Sequence, residues 1–199
     1  MRCWFFLAAA REKGWECWGV DLSSDLVSFA QERYGLNVAT GAVEDQEYPR
    51  DFFDVVTLWD VLEHTLDPRK TLMKIHEILR PGGLLFVITP NIDGLYPSVS
   101  YRLARVINYW PHPTPPAHAF QFSKRTLRRL IQGTGFKIIA SQDRCIRLGY
   151  SLNLEGRRLS AMRVMYAFFF LPLGWFGPTV GAGDEVLMIA AKESDGKAR

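Results

Sequence analysis

Over its first two-thirds the chain alternates short apolar runs rich in β-branched residues with longer amphipathic segments, the pattern of repeated βαβ units. Residues 5–13 read as a helix closed by Gly14, and residues 16–22 as a strand. Ser23 or Ser24 caps the next helix, which carries Leu26, Phe29 and Ala30 at helical spacing and ends at Gly35. A short strand at Asn37–Thr40 leads into an acidic loop. Phe53–Trp59 is almost wholly apolar, as expected of a strand covered on both faces. Asp67 and Pro68 supply an N-cap and a proline at the first helical position. The helix they open places Leu72, Ile75 and Leu79 on one face and stops at Arg80-Pro81-Gly82-Gly83, ahead of a buried strand at 84–89.

From Pro90 to Ala119 the periodicity gives way to a proline- and aromatic-rich stretch too long for an ordinary connection, which reads as an active-site cover or lid. Ser123 then caps a basic helix with Leu127, Leu130 and Ile131 inward. Residues 135–141 form a further strand, and 183–192 the last one. The expected fold is α/β: a Rossmann-like, mostly parallel sheet with helices on both faces. The chain is expected to be one domain over 1–199, with 90–122 and 142–180 as substrate-side insertions.

Composition adds bounds. At 199 residues and 48% hydrophobic, the chain can bury one sizeable core. Cys3, Cys17 and Cys145 have no CxxC or Cys/His spacing, so no zinc site is expected, and free thiols point to a reducing, cytoplasmic setting. The N-terminal apolar run passes into a charged helix without a cleavage site, and 164–176 is too short for a membrane span. Net charge is +3 overall, but residues 1–100 carry 9 Lys/Arg against 15 Asp/Glu, and residues 101–199 carry 15 against 6. The basic half suits an acidic substrate or an anionic membrane surface, or is a set of solvated helix faces. No nucleic-acid motif accompanies it, and no nucleic-acid partner is expected.

In an open parallel sheet, ligands bind beyond the carboxyl ends of the strands. At those ends stand Asp21, then Val43-Glu44-Asp45, then Trp59-Asp60 followed by Glu63-His64, then Asn91. An acid at the position of Asp21 accepts hydrogen bonds from both hydroxyls of a ribose. Taken together, GWECWGVDLS, GAVEDQEYPRDFFD, the long block from FDVVTLWDVLEHTLDP through LRPGGLLFVITPN, and the final GAGDEVLMIAAK resemble the class I S-adenosylmethionine-dependent methyltransferases, in particular the ubiquinone-biosynthesis-type branch. The resemblance implies S-adenosylmethionine as cofactor, with Asp21 and Leu22 at the ribose, Val43 and Glu44 at the adenine, and Trp59 and Asp60 at the methionine end. It also implies an antiparallel last strand and methyl transfer to a small-molecule acceptor.

The front of the chain departs from that pattern. The family's first strand and its glycine-rich loop have no counterpart here, because no glycine precedes Gly14 and Trp4 stands where the loop's last glycine falls. A missing central strand leaves the strands ending at Asp21 and Trp59 each with an unpaired edge. Three accounts are open: a truncated chain or late start, a degenerate paralogue without cofactor that serves as an interaction or membrane-surface module, and a sheet completed by another chain. A nicotinamide oxidoreductase also places an acid on a ribose, but the last strand argues against it.

Each candidate has a plainer alternative. Asp21 also suits a helix-capping role. His64 is either a general base or a histidine satisfying a helix end. His118 reaches the acceptor or is an ordinary loop residue, and His76 and His112 read as structural. Tyr96, Tyr101 and Trp110 form an acceptor pocket or pack loop against core. Phe168, Phe169, Phe170, Trp175 and Phe176, near Arg157, Arg158 and Arg163, make an interfacial helix for peripheral membrane contact or, as the favoured reading, a stripe packed on the sheet. Acceptor identity and oligomeric state are not readable from the sequence.

Overall fold

The computed structural model describes residues 2–107, 119–145, 168 and 172–193. Its contacts divide the chain into two compact units, Met1–Pro49 and Arg50–Arg199.

The first unit runs α1 (Arg2–Glu12), β1 (Trp18–Asp21), α2 (Ser24–Tyr34), β2 (Asn37–Thr40) and a single 3-10 turn at Val43–Asp45. The strands β1 and β2 pair in parallel, Trp18 opposite Asn37 through Asp21 opposite Thr40. Of the two candidate caps Ser23 does the work, its hydroxyl accepting from the Leu26 amide, and Gly35 in the left-handed conformation ends α2. The inward face of α2 is Val27 and Ala30, whereas Phe29 is exposed and Leu26 half-buried, a one-residue rotation from the expected stripe. Trp4, Leu36 and Val38 complete this small core.

The second unit runs β3 (Phe53–Trp59), α3 (Pro68–Ile78), β4 (Leu79–Pro90), α4 (Leu95–Ile107), α5 (Lys124–Gln132), β5 (Phe136–Arg144) and β6 (Glu185–Lys192). Its sheet has the order β3-β4-β6-β5, with β3 and β4 parallel and β6 antiparallel to both its neighbours. Register puts Leu58, Val87 and Met188 in one row and Leu85 and Ala190 in the next, on the face that Leu72 and Ile75 of α3 and Leu127 and Ile131 of α5 cover. Asp67 caps α3 by accepting from the Arg69 and Lys70 amides, and Ser123 and Thr126 form a reciprocal capping box at α5.

Two expectations change. Leu79 is buried, but as the first residue of β4, because the Arg80-Pro81-Gly82-Gly83 turn lies within a strand that pairs with Phe53 before a register shift. Leu58 alone in β3 is buried, and among the described residues β3 has a strand on one side only. Among the described residues β1 pairs only with β2, and β3 only with β4. Among those residues no helix is long and apolar enough to cross a membrane.

Candidate active site

In the first unit, Asp21 closes β1 at its carboxyl end. Its Oδ1 accepts from the Ser23 amide at 2.9 Å and its carbonyl accepts from the Gly41 amide at 2.9 Å, which fixes the side chain at the mouth of the β1–α2 turn. The cap of α2 is Ser23 rather than Asp21, and Asp21 Oδ2 meets no protein donor among the described residues. Leu22 beside it is 77% exposed. The Gly41–Gln46 loop is tied down by Gln46 Nε2, which donates to the Ala42 carbonyl at 3.2 Å, and it holds Val43 and Glu44 half-buried.

In the second unit, Trp59 ends β3 half-buried, and Asp60 follows with φ of +53°, a left-handed conformation for a non-glycine residue. The Asp60 amide donates to the Ile88 carbonyl at 3.0 Å, which holds that conformation against β4. Desolvation by the surrounding protein raises the Asp60 pKa, against the pull of His64 and Arg144, although the residue's outer side is exposed.

The 3-10 turn Leu62–His64 then sorts three residues by direction. Leu62 and Glu63 are buried and His64 is exposed. Glu63 Oε2 accepts from the Thr89 hydroxyl at 2.9 Å, Oε1 is buried without a partner, and the Glu63 carbonyl accepts from the Phe120 amide at 3.0 Å. Burial is the main cause raising the Glu63 pKa; the charge of Asp60 adds to it, while hydrogen bonds and His64 oppose it.

Asp184, just before β6, is the second buried acid. Its Oδ1 accepts from the Tyr96 amide at 3.3 Å, and burial pushes its pKa up to about 6. Asn91 stitches the end of β4 to this segment, donating from Nδ2 to the Gly183 carbonyl at 2.8 Å and from its own amide to the Asp184 carbonyl at 2.7 Å. Glu63, Thr89, Asn91, Phe120, Phe122 and Asp184 line a cavity of about 40 Å³.

The sequence reading singled out His64 at this turn; the structure turns His64 outward and Glu63 inward. It also missed Asp184, whose signal was a charge flanked by glycine and a strand of buried valine and methionine. His76 packs edge-on against Phe136, as a structural residue. Tyr96 is buried and Tyr101 exposed. Phe168, Trp175 and Phe176 are exposed rather than packed on the sheet. His118, His112, Trp110, Phe169, Phe170 and the three arginines 157, 158 and 163 lie outside the described residues.

Residues 5–141 match the family model described as a methyltransferase domain. The chain belongs to the class I S-adenosylmethionine-dependent methyltransferase family. A ubiquinone biosynthesis O-methyltransferase of Methylococcus capsulatus is 36% identical over 91 residues, 42% of this chain and 38% of that protein. One of the same name from Coxiella burnetii is 31% identical over 78 residues, 37% of this chain and 33% of that protein. The chain thus spans little more than a third of the length of these curated relatives. A SAM-dependent methyltransferase structure from Archaeoglobus fulgidus superposes with a TM-score of 0.61 at 20% identity, covering 94% of this chain and 80% of that one. That likeness is one of fold.

Proposed function

We propose that this chain carries out S-adenosylmethionine-dependent methyl transfer to a small-molecule acceptor, as a single methyltransferase-like domain over 1–199 with 90–122 and 142–180 on the acceptor side. The observation that carries the reading is Asp21 at the carboxyl end of a parallel strand, its Oδ1 held by Ser23 and its Oδ2 facing no protein donor among the described residues, within a family match over residues 5–141. This suits the ribose end of the cofactor. The first unit's glycines are Gly14, Gly19, Gly35 and Gly41, and Gly19 is there for packing, since a Cβ would lie 2.8 Å from Trp4. The carboxypropyl end therefore has no glycine-rich turn within residues 2–49.

When bound, the cofactor supplies a methyl group made electrophilic by its sulfonium. The chain's part is alignment and water exclusion. Asp21 would hold the ribose hydroxyls with Leu22 beside the cofactor, Val43 and Glu44 would border the adenine, and Trp59 and Asp60 would line the methionine end. His64 and His118 are the candidates for orienting the acceptor or taking a proton. Calorimetry with S-adenosylmethionine on the full chain tests this. Asp21→Ala should weaken binding roughly 10- to 100-fold, the worth of charge-assisted hydrogen bonds. Unchanged affinity would remove the ribose assignment.

A second reading, peripheral membrane contact, is favoured by the exposure of Phe168, Trp175 and Phe176. Co-sedimentation with anionic liposomes that Trp175→Asp abolishes would support it, and co-sedimentation unchanged by that variant would count against it.

A further inference from the structure

The cavity at the end of β4, between Glu63 and Asp184, combines features that methyl transfer alone does not require. Glu63 is 2% exposed and its Oε1 is buried with no hydrogen-bond partner. A buried, unpaired acceptor oxygen costs on the order of 1–3 kcal/mol, more when charged. A second carboxyl, Asp184 at 1% exposed, lines the same space, and no Lys, Arg or His is among the described residues that line it. The remaining wall includes Phe120 and Phe122, whose rings stack at 6.3 Å between centroids and 17° between planes. Phe120 is 39% exposed and stands on the open side, whereas Phe122 is buried.

Two buried acids with no Lys, Arg or His among the described lining residues, beside two aromatic rings, form an environment that favours a cation over a neutral donor. A hydroxyl would satisfy Glu63 Oε1 but leave the charge of the two carboxylates uncompensated. An ammonium group supplies three donors and a full positive charge. The volume of about 40 Å³ admits a group of that size and leaves the rest of its molecule outside, past Phe120.

We propose that this cavity is a binding site for the cationic amino group of a small molecule, with Glu63 and Asp184 as its counter-charges and Phe120 and Phe122 as its aromatic wall. On the methyl-transfer reading, on which this last step rests, that molecule is the acceptor. Among the described residues, the charged groups facing the two acids are Asp60 and His64 for Glu63, and the Cys145 thiol, when ionised, for Asp184. Ionisation of the acids strengthens the site, so affinity rises with pH while an alkylamine stays protonated throughout.

The test is a titration of the full chain, without S-adenosylmethionine, with n-butylamine and n-butanol, followed by ligand-observed NMR. Butylammonium should bind at least tenfold more tightly than butanol at pH 8 and at least tenfold more weakly at pH 5 than at pH 8. Glu63→Gln should remove at least tenfold of the amine affinity and leave butanol unchanged. Phe120→Leu, on the open side, should cost severalfold for the amine alone and serves where Glu63→Gln fails to fold. Equal affinity for the two probes, no binding of either, or amine affinity unaltered in these variants would overturn the proposal. Because no cofactor is present, failure of the ribose assignment leaves this result untouched, and the reverse also holds.

Discussion

Asp184 costs the fold stability at neutral pH. Its carboxyl is raised from 3.8 to about 6 by burial, so between those values the native state holds a proton that the unfolded chain has lost. The contribution is favourable below about 3.8 and is lost as pH rises through about 6; Glu63 shifts in the same direction. Asp184→Asn keeps an oxygen for the Tyr96 amide while removing the buried charge. It should therefore gain on the order of 2–3 kcal/mol at pH 8 and almost nothing below pH 4, read by urea denaturation at the two pH values. The same carboxyl sits on a tight shelf. A Cβ at Gly94 would lie 2.8 Å from the Gly183 carbonyl and 2.9 Å from Asp184 Cα, both backbone atoms that cannot swing away. Gly94→Ala should cost about 1–3 kcal/mol in the same assay. At this scale the sequence was half legible. Its apolar spacing located the strand ends that carry Asp21, Asp60 and Asn91, but the choice between Glu63 and His64 as the inward residue is made by a three-residue 3-10 turn. A turn that short has no period to read.

Elements were legible where punctuation and period agreed. Between Ser23 and Gly35, α2 has a cap at each end, and β3 is a mostly apolar run, so their limits follow from the chain alone. They were less legible where pairing partners decide. The continuation of β4 through Arg80-Pro81-Gly82-Gly83 depends on Phe53 lying opposite Leu79, a contact separated by 26 residues in sequence (79 minus 53). Burial of β3 depends on how many strands flank it, which its own composition does not specify. For α3 the sequence signal carries a quantitative expectation. Asp67 Oδ1 accepts from the Arg69 and Lys70 amides, each at 3.0 Å, and its loss leaves both without that acceptor. Asp67→Ala should lower stability by about 1 kcal/mol, visible as a reduced urea midpoint with unchanged m-value, whereas Asp67→Ser should recover most of it.

At the scale of the molecule, the two units differ in what holds each together. The core of Met1–Pro49 consists of Trp4, Val27, Ala30, Leu36 and Val38 around a two-stranded sheet, a size that is marginal by itself in water. That of Arg50–Arg199 has, among the described residues, fourteen buried ones spread over a four-stranded sheet, two helices and their connections. Opening free energies follow buried apolar contacts, so amides of β1 and β2 should exchange with solvent at least tenfold faster than those of β4 and β6 in native-state hydrogen exchange. The difference bears on function because Asp21, the residue assigned to the ribose, ends β1 in the less stable unit. A ligand that binds only the closed form of that unit adds RT ln(1 + [L]/Kd) to its opening free energy. S-adenosylmethionine at a hundredfold excess over Kd should therefore slow exchange at Trp18–Asp21 by up to about a hundredfold. The central pairs of β4 and β6, Phe86 with Ile189 and Val87 with Met188, should change far less when their exchange is limited by opening of the second unit alone. Protection that rises equally in both units would instead mean that they open as one, and protection unchanged in β1 would take Asp21 out of the cofactor's reach.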